Sequence, residues 1–328
     1  MAEPCPELFA GLLGQGQAVA LLAAALAQRR LAPAYLFSGP DGVGRRLAAL
    51  RFLEGVVAGP GGDAGVRRRL QEGNHPDLLW VEPTYSEKGQ LVPASQAAAA
   101  GVSRKAAPQL RLEQVRAVSQ FLARRPVEAP RCLVVIEAVE AMAEGAANAL
   151  LKTLEEPGDG LLLLLSAAPE RLLSTIRSRC QAIPFARLSP PLLQQVLATL
   201  PATAMETEGQ AAASPDPPEL LELAAGSPGG LLMHRQQWQS LPPGLAERCT
   251  ALSASPVEAL ALARDLTEAL EVEQQLWLLD WWQLRLWRQR RDAAPLQRLE
   301  RLRGQLRAYV QPRLAWEVAL LELSGSVG

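Results

Sequence analysis

The chain of 328 residues is poor in histidine, cysteine and lysine, and each shortage excludes a chemistry. With only His75 and His234 available, a histidine-rich metal centre is ruled out. The four cysteines, Cys5, Cys132, Cys180 and Cys249, form no CxxC or other short pair, so their spacing encodes neither a zinc knuckle nor a disulfide framework. Scattered single thiols fit a reducing compartment. Lys88, Lys105 and Lys152 are the only lysines among 33 basic residues; the others are arginines, which can fork onto phosphate bidentately. A net charge of -1 removes the case for a globally basic nucleic-acid coat. No apolar run approaches the roughly 20 residues needed to cross a bilayer. The N-terminal stretch MAEPCPELFAGLLGQ has no basic n-region or long apolar h-region, so a cytoplasmic protein is expected.

Apolar material, by contrast, is plentiful: 48% of residues are hydrophobic and 20% charged, the composition of a globular chain. At roughly 150 residues per domain the length fits two or three domains. Residues 16–30 have helical spacing, Ala34–Ser38 reads as a strand, and Arg45 begins a second helix. Residues 58–73 read as a connection, Asp77–Val81 as a strand, and residues 82–109 as a long mobile loop. Leu112, Val115, Val118, Phe121 and Leu122 share one helical face. Cys132–Ile136 and Leu161–Leu165 then read as buried strands, with a helix over 144–156 between them and a helix over 169–177 leading to a short strand at 183–185. Strands alternating with helices predict a parallel α/β sheet flanked by helices over residues 1–187. Residues 188–238 read as a small helical domain, with helices near 189–200 and 217–225 around a Pro/Ala/Ser-rich stretch. Residues 239–328 read as all-helical, including 256–290 and 296–323, with breaks at Pro295 and Pro312.

The most informative segment is Gly39-Pro-Asp-Gly42-Val-Gly44-Arg45-Arg46, between a strand and a helix. A working phosphate loop, GxxxxGK[ST], uses backbone amides and a lysine for the phosphates and a hydroxyl for magnesium. Here the glycines are spaced correctly, but Arg45 replaces the lysine and Arg46 the hydroxyl. Arg46 cannot ligate a metal and would repel one. The second half of such a site is an apolar strand ending in Asp-Glu, which supports magnesium and activates water. The strand Cys132–Ile136 ends instead in Glu137-Ala138, which keeps one carboxylate and loses the base. Glu140, two residues on, could substitute only if the backbone deformed. Hydrolysis by this chain is therefore not expected.

These segments, with His75-Pro-Asp77, Asn148-Ala-Leu-Leu-Lys-Thr-Leu-Glu-Glu-Pro157 and Thr175-Ile-Arg-Ser-Arg-Cys180, resemble the bacterial clamp-loader AAA+ subunits, most closely the delta prime branch of DNA polymerase III. The resemblance runs through nearly the whole chain, and the combination of the NALLKTLEEP block with SRC is its most specific part. It implies an AAA+ module (1–187), a small helical lid (188–238) and a helical collar for oligomerisation (239–328). It also implies that Arg179 acts in trans as an arginine finger on ATP held by a neighbouring subunit. Arg177 reads as a surface charge and Cys180 as a small buried hydrophobe. Active relatives carry a sensor arginine where Gly229 stands, whereas Ser166 keeps the hydroxyl of the first sensor. Many relatives also carry a four-cysteine zinc module, but residues 51–76 hold no cysteine, so no zinc is expected and Gly59–Gly73 reads as a shortened remnant.

The resemblance further implies a replisome protein associated with the nucleoid, no cofactor of its own, and ATP bound by its partners. Those partners would be gamma/tau and delta subunits, with the sliding clamp and primer-template DNA reached through the assembly and no membrane involved. A gamma/tau-type ATPase with an atypical loop is the alternative. A third reading, a free-standing DNA-binding protein, rests on Trp277, Trp281, Trp282 and Trp287 interleaved with Arg285, Arg288, Arg290 and Arg291. The same pattern also suits a helix with its aromatic side buried in a bundle. Which neighbour receives Arg179, the stoichiometry, passive nucleotide binding and the DNA-contacting residues stay open.

Overall fold

The computed structural model describes residues 7–87, 89–97, 99–102, 107–199, 217–308 and 310–325, with the side chains of Thr199 and Arg290 excepted. Cys5, Lys88, Lys105 and nearly all of the Pro/Ala/Ser-rich stretch lie outside those residues. The chain forms two compact units, Met1–Thr199 and Leu200–Gly328.

The first unit is built on a parallel sheet ordered β2-β5-β6-β1-β7. Its strands are β1 (Ala34–Ser38), β2 (Leu78–Val81), β5 (Leu133–Ile136), β6 (Leu161–Ser166) and β7 (Gln181–Pro184). Alternate residues of each strand face opposite layers. Tyr35, Phe37, Val135, Leu163 and Leu165 pack with α1 (Gly16–Ala27) and α2 (Arg45–Ala58) through Leu22, Phe52 and Leu53. Leu36, Val134, Ile136, Leu162 and Leu164 pack with α4 (Leu112–Leu122) and α5 (Glu144–Glu155) through Val115, Val118, Leu150 and Leu154. Leucine favours helix, yet Leu161–Leu165 is a strand because both faces of this sheet are covered and demand apolar side chains. Two short helices, α6 (Ser174–Ser178) and α7 (Pro190–Thr199), flank β7 in sequence.

Three expectations need correction. Residues 58–73 are more than a connection: α3 (Ala64–Gln71) lies there, with the Asp63 carboxylate accepting from the Val66 N–H at 2.8 Å as its N-cap. Residues 82–109 are not simply a loop either. The antiparallel hairpin β3 (Thr84–Glu87) and β4 (Gln90–Pro93) occupies their first part, and Gly89 at φ 83° supplies the left-handed residue of its turn. The helix expected over 169–177 divides into a 3-10 turn at Pro169–Arg171 and α6.

The second unit is helical throughout its described residues. It comprises α8 (Pro218–Ala224), α9 (Pro228–Gln239), α10 (Leu245–Thr250), α11 (Pro256–Ala269), α12 (Val272–Arg290), α13 (Ala293–Arg307) and α14 (Pro312–Ser324). Two breaks differ from expectation. The stretch 256–290 is two helices parted at Leu270-Glu271, where Glu271 opens α12 with a capping box. Pro295 lies in the first turn of α13, where its missing N–H costs nothing; the break precedes it, at Arg291 in the left-handed conformation (φ 50°). No helix among the described residues is long and apolar enough to cross a membrane.

Candidate functional site

Residues 39–44 join β1 to α2. Gly39, Gly42 and Gly44 all have positive φ, at 154°, 72° and 104°. At Gly39 a side chain is impossible, because a Cβ would stand 2.3 Å from the Phe185 carbonyl oxygen. The buried Gln15 side chain pins the loop from below. Its Nε2 donates to the carbonyls of Val43 (3.2 Å) and Ala186 (2.8 Å), and its Oε1 accepts from the Ala186 N–H at 3.0 Å. Sequence reasoning passed over Gln15, since nothing in its neighbours marks it as a bridge to residue 186.

The loop's cations, however, are bound by this chain's own carboxylates. Arg45 is nearly buried and ion-paired with Asp41 of the loop itself. Arg46 pairs with Glu137 at 3.0 Å. The Arg46 guanidinium also lies 4.8 Å over the Trp80 ring, while Trp80 Nε1 donates to Glu137 Oε1 at 2.8 Å. The two positions that would share a magnesium ion are thus joined directly, guanidinium to carboxylate. Trp80, read from sequence only as a strand residue, closes this trio.

Beyond Glu137, Ala138 holds a left-handed backbone (φ 45°, ψ 50°) and presents no base. Glu140 does not replace it: its Oε1 accepts from the Ala167 N–H at 2.9 Å, just past the end of β6. Ser166 is buried beside the loop, its carbonyl accepting from the Gly39 N–H at 3.1 Å. Magnesium-bound nucleotide does not fit these residues, for a cation sits at the metal-ligand position and no carboxylate stands where water would be activated.

Arg179 lies elsewhere, as the C-cap of α6. Buried Ile176 anchors that helix in the core, and the Arg179 side chain is exposed at the surface. Its Nη2 donates to Glu155 Oε1 at 2.8 Å and its Nη1 to the Thr175 carbonyl at 3.1 Å. Arg177 is exposed, as expected. Cys180 is half-buried rather than buried, and desolvation pushes its thiol up to about 12, so it is no nucleophile at neutral pH.

His75-Pro-Asp77 is an internal brace. The Asp77 carboxylate accepts from the backbone N–H groups of Val127, Glu128 and Ala129, each at 2.7 Å. Buried His75 accepts from the Asp77 N–H through Nδ1 at 3.2 Å, and desolvation lowers its pKa. In the second unit Trp277, Trp281 and Trp282 are buried; only Trp287 is exposed. Trp277 Nε1 donates to His234 Nδ1 at 2.9 Å, and Trp282 stacks with Trp316 at 6.5 Å between centroids. Arg285 and Arg288 pair with Glu219 and Glu222. Trp277, Trp281 and Trp282 thus belong to a bundle core, with Arg285 and Arg288 ion-paired beside it. Gly229 lies in the first turn of α9, where the Ser227 hydroxyl accepts from the Gly230 N–H at 2.9 Å. Among the described residues no group of three or more His, Cys, Asp or Glu is placed to hold a metal.

Residues 14–189 match the protein family described as DNA polymerase III, delta subunit. Residues 192–323 match one described as cyanobacterial DNA polymerase III delta prime, C-terminal domain. A Pseudomonas aeruginosa relative named DNA polymerase III subunit delta' is 37% identical over 211 residues, 60% of this chain and 54% of its own. A Bacillus subtilis protein of the same name is 33% identical over 189 residues, 56% and 51% of the two chains. A Haemophilus influenzae tau/gamma subunit is 30% identical over 200 residues, 59% and 26%. The match therefore spans about half the length of the delta' relatives. A crystal structure of a DNA polymerase III gamma subunit-related protein from Thermotoga maritima shares the fold, with TM-score 0.50, 16% identity, and 93% and 98% of the two chains covered.

Proposed function

The chain belongs to the DNA polymerase III, delta subunit family over residues 14–189, and from this and the delta prime match over residues 192–323 we infer a catalytically silent delta prime subunit of a bacterial clamp loader. Such a subunit completes an AAA+ ring and offers Arg179 to ATP held by an adjacent subunit. It thereby serves ATP-dependent loading of the sliding clamp on primed DNA. Its partners are gamma/tau and delta subunits, and it reaches clamp and primer-template DNA through the assembly, in the cytoplasm at the nucleoid. It needs neither zinc nor nucleotide of its own. The division into AAA+ module (1–187), lid (188–238) and collar (239–328) belongs to the same reading.

One observation carries it: the loop positions that would serve phosphate and magnesium are filled by Arg45 and Arg46, paired with Asp41 and Glu137, while Arg179, paired with Glu155, is presented on a separate core-anchored helix. A guanidinium so presented can give positive charge and paired donors to a phosphoryl oxygen from outside. Supporting a role in assembly, Leu314, Val318 and Leu321 lie exposed along one face of α14. The purified chain tests the silent part directly. It is expected to show no ATP turnover above background with magnesium present, whereas sustained hydrolysis would assign it to the gamma/tau-type ATPases instead.

A further inference from the structure

Glu155 has no role in the reading above, yet it holds the residue that reading depends on. We propose that Glu155 is the positioning residue for Arg179, fixing the guanidinium in the orientation it presents to a neighbouring subunit. The inference rests on the assignment of Arg179 as a trans finger and deepens it.

Both ends of the contact stand on rigid supports. Glu155 is the last residue of α5, whose final turn is fixed by buried Leu154 and by Thr153, 2.7 Å from the Ser119 hydroxyl of α4. Arg179 caps α6, which Ile176 plugs into the same side of the core. Between them the guanidinium has two anchors on different nitrogens, the Glu155 carboxylate on Nη2 and the Thr175 carbonyl on Nη1. An arginine carries five N–H donors, so two anchors leave three free for a phosphoryl oxygen. An unanchored arginine would have to give up its rotamer freedom at every docking event; a tethered one has already done so. The pair is solvent-accessible, with 36% of the Arg179 side chain and 52% of the Glu155 side chain exposed, so an incoming surface can reach the guanidinium without unfolding anything. Its value to the fold is correspondingly small. Orientation is what it supplies.

The test uses clamp loaders reconstituted from full-length subunits with wild type, Glu155→Ala, Glu155→Gln, Arg179→Ala and the double variant. Thermal melting of each free chain verifies folding, and the melting temperature is expected to be unchanged. In single-turnover ATP hydrolysis, Glu155→Ala is expected to lower the rate roughly five- to tenfold, with the ATP concentration at half-maximal rate unaltered. Glu155→Gln, which keeps an acceptor at the same reach, recovers part of the rate, and the double variant matches Arg179→Ala. If Arg179→Ala slows hydrolysis but Glu155→Ala leaves it unchanged or raises it, positioning is overturned and the finger survives. If Arg179→Ala itself has no effect, the finger assignment has failed, and this proposal with it.

Discussion

Asp77 shows how much a single residue carries that a motif alone cannot explain. His75-Pro-Asp77 stands out in the sequence as a family block, but its work is visible only once residues 127–129 arrive beneath it. Burial by itself would raise the Asp77 pKa; the N–H groups of Ala129, Val127 and Glu128 outweigh it and hold the carboxylate below its ordinary range. A depressed folded value means that Asp77 contributes stability above its unfolded pKa of about 3.9, and that the contribution is lost as pH falls through the lower folded value. Asp77→Asn turns an amide donor toward at least one of these N–H groups. It is expected to cost about 2–4 kcal/mol at neutral pH. Urea titrations at pH 7 and below pH 4 check this, with the difference between variant and wild type shrinking in acid. The losses at Arg46 and Ala138 were legible because they are changes of residue type at fixed spacing. Their partners were not, since Asp41 sits inside the loop as an unremarkable turn residue and Trp80 lies 57 positions from Glu137.

At the scale of elements, legibility followed the depth of burial. The strands β1, β5 and β6 announce themselves because both faces must be apolar, whereas the edge strand β7, with Ile183 as its one buried residue, was legible only in part. The element α3 does not announce itself, because Leu70 is its only buried residue and no periodicity survives. What holds α3 is ionic. The fully buried Glu54 of α2 accepts two bonds from Arg67 at 2.9 Å, one from Arg51 at 3.0 Å and one from the Asp63 N–H at 3.0 Å. Burial alone would raise the Glu54 pKa, but Arg67, Arg51 and the Asp63 N–H bring it below the ordinary value. Arg67→Ala leaves that carboxylate buried with half its partners, and is expected to cost about 2–3 kcal/mol in urea unfolding. Arg68→Ala, on the same helix without an ion pair to Glu54, serves as the control. The hairpin of β3 and β4 was hidden for a related reason: strands of only four residues give no alternation long enough to read.

For the whole molecule, the broad architecture was legible in the sequence. The alternation of strands and helices and the long helical second half could both be read directly. The helix break at Pro312 could be read too, since Pro312 opens α14, but those at Leu270-Glu271 and Arg291 could not, because they depend on caps: Pro295 reads as a stop in isolation but is tolerated at the start of α13. The tryptophan cluster was likewise ambiguous until burial separated Trp277, Trp281 and Trp282 from exposed Trp287. Two separate arginine sites remain: one in the loop, paired with Asp41 and Glu137, and one at the surface, where Arg179 is held by Glu155.

The central proposal is that this chain acts, through Arg179, on ATP held by a neighbouring subunit. Single-turnover ATP hydrolysis by a clamp loader reconstituted with Arg179→Ala tests it most directly. Given what an arginine finger contributes, the account predicts that hydrolysis at the receiving site slows by roughly a hundredfold or more, with assembly intact. Hydrolysis at the wild-type rate in a correctly assembled loader would contradict it.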